Sequence, residues 1–231
     1  MKSLVLVDVD LTLTDERRRI SSRVVAALEE LDKAGFPVVL ASANAYPLTY
    51  SLARYLPTSG WVISENGGVV GREDRVKVAV DFDAQAFRRL ILELLPDVLE
   101  DSWQNSYRRV DLTFRIKAGL DPREAVRRAR SALEALGLEV SYSVVAVHVH
   151  PPGVNKGRGV EILLEMLEEK PEKIVAIGDS EVDVSMFEKS DISVALANAP
   201  EEVKAKATYV TRRAYGEGFI EAAELLIRGD L

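Results

Sequence analysis

Leu4-Val5-Leu6-Val7-Asp8-Val9-Asp10-Leu11-Thr12-Leu13-Thr14 is an apolar run, rich in β-branched residues, that ends in two carboxylates one residue apart. Such a run reads as a strand buried on both faces, as in a parallel sheet. Its carboxyl end is then where open α/β sheets place their ligands. Alternate residues of an ideal strand share a face, so Asp8 and Asp10 are expected to point the same way. Two close acids at a buried strand end repel, and a cation between them lets both ionise. An Asp-rich turn is the competing explanation, since Asp is common in turns. The rest of the chain decides between the two.

Next along the chain, Ser21 or Ser22 can cap a helix with the apolar stripe Val24, Val25, Leu28 and Leu31, ended by Gly35. A second buried strand at 37–41 closes on Ser42-Ala43-Asn44, and a helix over 47–55 leads to a short strand at 61–63. That strand ends in the turn-forming cluster Ser64-Glu65-Asn66-Gly67-Gly68. Strands alternating with helices point to right-handed βαβ units.

From about Val76 to His150 the texture changes to period-two strands, clearest at 109–116 and 145–150, with helices expected over 84–95 and 122–136. Alternation means a sheet covered on one face only. Pro151-Pro152-Gly153 punctuates the return to a helix over 156–168, strands at 174–177, 192–196 and 208–210, and a last helix over 219–227. Tyr215-Gly216-Glu217-Gly218 lacks phosphate-loop spacing and reads as a loop before that helix. The expected architecture is α/β: a Rossmann-like parallel-sheet core, residues 1–80 plus 152–231, interrupted by a small α+β cap with an open-faced antiparallel sheet, residues 81–151.

Composition narrows the function. The chain has 231 residues, no Cys and a net charge of −7. Without Cys there are no disulfides, thiolate metal sites or Cys nucleophiles. An acidic chain whose basic runs are short, such as Arg17-Arg18-Arg19, makes nucleic acid an unfavourable partner. No apolar run reaches the roughly 18 residues of a membrane span, and a strand carrying candidate chemistry follows a single Lys, so no signal peptide is expected. Cytoplasmic location, as monomer or homodimer, is the expectation.

Asp179 follows an apolar strand just as Asp8 does, and so do Ser42 and the Asn66-Gly67 turn. All strand C-termini of a parallel sheet lie along one edge, so Asp8, Asp10, Asp179, Asp183, Ser42 and Lys156 can share one crevice. The acids supply hard oxygen ligands suited to Mg²⁺. A metal-bound Asp can attack phosphorus, and a second acid can protonate the leaving oxygen and then deprotonate water. Ser42 can hydrogen-bond a phosphoryl oxygen, and Lys156 offsets the crowding of negative charge.

Asp8-Val9-Asp10-Leu11-Thr12 resembles the DxDxT signature of the haloacid dehalogenase-like phosphatases. Ser42 resembles their second motif, Lys156 in Asn155-Lys156-Gly157 the third, and Gly178-Asp179-Ser180-Glu181-Val182-Asp183 the fourth. The resemblance implies that Asp8 is nucleophile and metal ligand, and that Asp10 is general acid/base and binds metal through its carbonyl. It further implies that Asp179 and Asp183 hold Mg²⁺ and that Lys156 contacts the phosphoryl group. An insert between the second and third motifs is similar to the Cof-like and sucrose-phosphatase-like branch. Within it, Ser42-Ala43-Asn44 and Glu65-Asn66-Gly67-Gly68 look most like archaeal phosphoglycolate phosphatases, implying substrate contacts from Ser42, Asn44 and Asn66 and 2-phosphoglycolate as substrate. Val182 departs from the Asn that the branch often has before its last acid.

Other readings compete. A sugar phosphatase or phosphosugar mutase would share the motifs, and a phospho-accepting regulatory domain would share the acids and Lys but needs no insert over its site. A small phosphorylated metabolite is the expected partner. His148 and His150 form an H-x-H pattern known from amidohydrolase metal sites, but the chain has no further His. They are expected to lie on one face of the cap sheet. Trp103, Tyr107, Arg108 and Arg109 either read a carboxylate or sugar from the cap or, as the favoured expectation, lie in an exposed cap loop. Asn198 either lines the crevice or makes a turn.

Overall fold

The computed structural model describes residues 3–143 and 146–231. In chain order the elements begin with β1 (Ser3–Asp8), α1 (Ser22–Lys33), β2 (Val38–Ala41), α2 (Tyr46–Tyr55), β3 (Val62–Ser64), β4 (Val69–Arg72) and β5 (Arg75–Val78). The cap follows with α3 (Ala84–Leu94), β6 (Leu99–Asp101), β7 (Leu112–Ile116), α4 (Pro122–Leu133), β8 (Glu139–Tyr142) and β9 (Val147–His150). The core resumes with α5 (Lys156–Met166), β10 (Lys173–Gly178), α6 (Val184–Phe187), β11 (Ile192–Ala195), α7 (Glu201–Lys204), β12 (Tyr209–Val210) and α8 (Tyr215–Arg228).

Among the described residues the large sheet runs β12-β11-β10-β1-β2-β3-β4-β5 and the small one β6-β7-β9-β8. From β12 to β3 all pairings are parallel, while β4 and β5 add antiparallel strands at one edge. β1 is central because its side chains are apolar on both faces. Val5 and Val7 pack with Leu28 of α1 and Phe219 of α8 on one side, and Leu4 and Leu6 with Leu163 of α5 and Phe187 of α6 on the other. Each fully buried Leu or Val contributes roughly 1.5–3 kcal/mol. The chain leaves β1 toward β2 on one flank and returns as β10 on the other. The switch point of the sheet is therefore the crevice at the carboxyl ends of β1 and β10.

Local signals act as expected around α1. Ser21 caps it, accepting from Val24 N at 3.3 Å. Gly35 (φ +82°) closes it, with Gly35 N donating to Asp32 O and Phe36 N to Leu31 O, the paired bonds of a Schellman ending. Elsewhere the boundaries move. The alternation that starts at Val76 belongs to β5 of the large sheet and not to the cap. The strand expected over 109–116 begins only at Leu112, because the amides of Arg109, Val110 and Asp111 donate to the Glu65 carboxylate instead of a ladder. The helix over 122–136 gives way after Leu133 to a short 3₁₀ turn that stops at left-handed Gly137. Tyr215 to Gly218 is not a loop but the first turn of α8. A Cβ on Gly218 would lie 2.3 Å from Arg213 O, so the glycine answers close packing.

In the cap, Leu112 and Phe114 of β7 and Val147 and Val149 of β9 pack against Ile91 of α3 and Leu133 of α4. Val145, the first residue of the strand expected at 145–150, lies outside the described residues. On the opposite face Thr113, His148 and His150 are buried where the sheet is turned toward the core, while Glu100, Arg115 and Glu139 stay exposed. Among the described residues no helix is long and apolar enough to cross a membrane.

Candidate active site

β1 ends at Asp8, so the two-residue period does not extend to Asp10 and the two acids diverge. The chain turns at once: Leu13 N and Thr14 N both donate to Val9 O, and Leu11 takes φ +64°. Asp8 faces Lys156, whose Nζ lies 2.5 Å from its Oδ1. Asp10 faces the loop after β2, where Asn44 Nδ2 donates to its Oδ2 at 2.9 Å.

Carboxylate oxygens of Asp8, Asp179 and Asp183 all lie within 4.8 Å of one another, and all three residues are buried. Asp179 is held by Thr12 Oγ1 at 2.9 Å and by Asn198 Nδ2 at 2.8 Å. Asp183 sits in a tight turn: its Oδ2 accepts from Asp179 N, Ser180 N and Ser180 Oγ, and its Oδ1 accepts from Lys156 Nζ at 2.6 Å. Gly178 permits that turn, since a Cβ there would lie 2.5 Å from the Asp183 carboxyl carbon. Lys156 is fully buried at the start of α5, after Asn155, which caps the helix by accepting from Arg158 N.

Three acids thus face one ammonium, and the electrostatics show the excess. Burial, with Asp183 and Asp179 adding to it against the pull of Lys156, pushes the Asp8 carboxyl well above the usual range. Burial and then Asp183 raise Asp179 to about 7. Burial alone would lower Lys156, but Asp183 and Asp8 outweigh it and hold the ammonium charged. A cluster of hard oxygens short of positive charge fits a divalent cation. Asp8, Asp179 and the Oδ1 of Asp183 carry no more than one hydrogen bond per oxygen and retain acceptor capacity for such a cation, whereas Asp183 Oδ2 already accepts three.

The second group of predicted residues assembles beside the first. Ser42 Oγ accepts from Asn44 N at 3.1 Å and Asn44 Nδ2 at 3.0 Å, which leaves its own proton to donate. Asn66 goes elsewhere. Its Nδ2 donates to Asp111 Oδ2 at 2.9 Å and lies 3.3 Å from His148 Nδ1, at the seam between core and cap. There Glu65 and Asn66 adopt φ +52° and Gly67 φ +94°, a left-handed stretch that aims Glu65 at the cap amides. His148 and His150 share the buried face of β9, and His148 Nδ1 is 2.8 Å from Asp111 Oδ2. Arg108 is buried in this seam, whereas Trp103 and Tyr107 are exposed.

The sequence gives Thr12 no role beyond its motif, places Asp111 only within an alternating strand, and carries no signal for Gln104. Thr12 was within reach as the third polar residue of the opening stretch. Gln104, in the polar run Ser102-Trp103-Gln104-Asn105-Ser106, carries no periodic or spacing signal.

The family model described as haloacid dehalogenase-like hydrolase matches residues 5–99 and 123–222. A phosphoglycolate phosphatase of Methanothermobacter thermautotrophicus is 35% identical over 219 residues, 94% of this chain and 96% of that one. Phosphoglycolate phosphatase 1 of Saccharolobus solfataricus is 33% identical over 235 residues, covering 100% of this chain and 98% of its own. The crystal structure of Thermoplasma acidophilum 0175 superimposes with a TM-score of 0.84 at 30% identity over 97% of each chain.

Proposed function

Since the chain belongs to the haloacid dehalogenase-like hydrolases, we propose that this phosphomonoester hydrolase converts 2-phosphoglycolate and water to glycolate and phosphate, with Mg²⁺ at Asp8 and Asp179. The observation that carries the mechanism is the Asp8 carboxylate at the sheet's switch point, within 4.8 Å of two further acids and bonded to Lys156. When bound, the cation neutralises charge on the phosphoryl oxygens and on Asp8. The core, residues 1–80 and 152–231, carries the chemistry, and the cap, residues 81–151, covers it.

The residues then divide the work. A carboxylate oxygen of Asp8 forms a bond to phosphorus as the ester oxygen leaves, and Asp10 gives that oxygen its proton. Asp10, now ionised, takes a proton from water, whose oxygen attacks the aspartyl-phosphate and frees both Asp8 and phosphate. Lys156 and the Ser42 hydroxyl donate to phosphoryl oxygens throughout. Asp183, its Oδ2 bonded within its own turn, positions Lys156 and would hold the cation directly or through water. Asn44 steadies Asp10. Asn66, bonded to Asp111, shapes the seam from which the cap approaches.

The substrate follows the names of the archaeal relatives. Release of phosphate from 2-phosphoglycolate, phosphoserine and several sugar phosphates, with and without EDTA, is the test. Preference for 2-phosphoglycolate, loss with EDTA and abolition by Asp8→Asn are expected, with the fold of that variant intact by circular dichroism. A sugar phosphate as the preferred substrate overturns the substrate. Retained turnover in Asp8→Asn overturns the mechanism, and stable phosphorylation of Asp8 without release marks a phospho-accepting regulator instead.

A further inference from the structure

Gln104 stands on the 3₁₀ turn Trp103–Ser106 of the cap, yet its side chain reaches the loop after β2. Its Nε2 donates to Asn44 Oδ1 at 2.9 Å, and its Oε1 accepts from Ala45 N at 3.0 Å and from Arg108 Nη2 at 3.1 Å. Two further bonds pin Arg108 itself, from Nη1 to Ala43 O at 3.0 Å and to Asp111 O at 2.8 Å.

The direction of every amide in this chain of bonds is settled by chemistry. Arginine and a backbone N–H only donate, so the Gln104 oxygen must face them and its NH₂ must face Asn44. Asn44 must then present its oxygen to Gln104. Its NH₂ is left for Ser42 Oγ at 3.0 Å and Asp10 Oδ2 at 2.9 Å. An obligate cation in the cap therefore fixes, two amides away, which edge of Asn44 meets Asp10. With Oδ2 accepting that bond, Oδ1, 3.9 Å from Arg18 Nε, is the Asp10 oxygen left free of Asn44.

We propose that Gln104 and Arg108 are positioning residues that act through Asn44 to hold the Asp10 carboxyl for proton transfer to the leaving oxygen. Acid catalysis is thereby conditional on the cap being seated on the core. The proposal rests on the phosphatase reading above and names residues outside its four motifs. Neither residue touches phosphorus, so nucleophilic attack by Asp8 does not depend on them.

Leaving-group dependence separates this role from simple support of the cap. With 2-phosphoglycolate the departing alkoxide needs a proton, whereas 4-nitrophenolate departs unprotonated. Because general acids contribute about 10²–10⁴-fold, Gln104→Ala is expected to lower kcat/KM for 2-phosphoglycolate about 10²-fold and for 4-nitrophenyl phosphate less than about 3-fold. Gln104→Glu keeps an oxygen for Ala45 N and Arg108 but offers a second oxygen to Asn44. Asn44 then turns its NH₂ to the cap and its carbonyl oxygen to Asp10. This variant is expected to seat the cap, match wild type in thermal midpoint, and still fall at least as far as Gln104→Ala. Equal losses on both substrates, or wild-type kcat/KM in Gln104→Glu, overturn the proposal while leaving the phosphatase reading intact. A wild-type protein that hydrolyses neither ester overturns both.

Discussion

Lys156 and Asp8 form a fully buried ion pair across 148 residues of sequence, Nζ to Oδ1 2.5 Å, and the same ammonium bridges to Asp183. Removing one partner of such a pair leaves uncompensated buried charge, at a cost of about 3–5 kcal/mol. Lys156→Met is expected to lose that much in urea unfolding and about 10²–10³-fold in kcat, as when a transition-state donor is deleted. Lys156→Arg should not restore activity, because a larger planar cation does not fit a fully enclosed site. Near-wild-type turnover in Lys156→Met removes this residue from the mechanism.

Asp179 and its two supports predict how the protein answers a divalent cation. Anything that binds the folded chain alone stabilises it. Millimolar Mg²⁺ should raise the thermal midpoint of the wild type, EDTA should reverse the rise, and Asp179→Asn should abolish it. Thr12 and Asn198 each hold one Asp179 oxygen. Thr12→Val and Asn198→Ala should weaken cation binding by about 10–100-fold, the usual scale for groups that orient a ligand. Titration calorimetry reads this directly, and an undiminished shift in Asp179→Asn excludes that carboxylate as a ligand.

Residues that act where a strand stops were legible, and residues that act across the fold were not. Asp8, Ser42 and Asp179 end or follow apolar runs, and a parallel sheet gathers such ends on one edge by geometry alone. Asn44, expected as a substrate contact, lies beside Asp10 and donates to it. Asn66 did not join them, because a left-handed turn over three residues aims it at the cap, and backbone handedness at Glu65 leaves no composition signal. Strands β6 and β8, of three and four residues, are too short to show a period. Gln104 and Asp111 gain their roles only when cap meets core, a relation that no local pattern encodes.

Asp111 gives that seam a pH dependence of known sign. Burial alone would raise its pKa, but His148 and then Arg108 and His150 more than offset it and hold the carboxyl below its usual value. Glu65, across the same seam, is shifted the other way, raised chiefly by burial. A carboxyl whose folded pKa is depressed contributes stability in full above its unfolded value near about 4, and loses it as pH falls through the lower folded value. The stability gap between wild type and Asp111→Asn should therefore be widest at pH 5–6 and shrink toward pH 3. Urea midpoints across that range test it. A gap independent of pH means that Asp111 titrates alike in folded and unfolded chains.

Gly67 ties the turn after β3 to the helix that carries Lys156. At φ +94° a Cβ on Gly67 would lie 1.9 Å from the carbonyl oxygen of Asn155, the cap residue immediately before Lys156. Gly137 also has a positive φ, +68°, but a Cβ there meets nothing within 4 Å. Comparing Ala at the two sites separates backbone strain from collision. Gly137→Ala should cost about 1 kcal/mol and leave kcat unchanged, since only the left-handed conformation is penalised. Gly67→Ala carries the same strain and must also push the start of α5 away from Asp8. It should unfold at clearly lower urea than Gly137→Ala and lose kcat, with a smaller change in KM. Equal stability losses and unchanged kcat in both variants would mean that the turn is not what sets the position of Lys156.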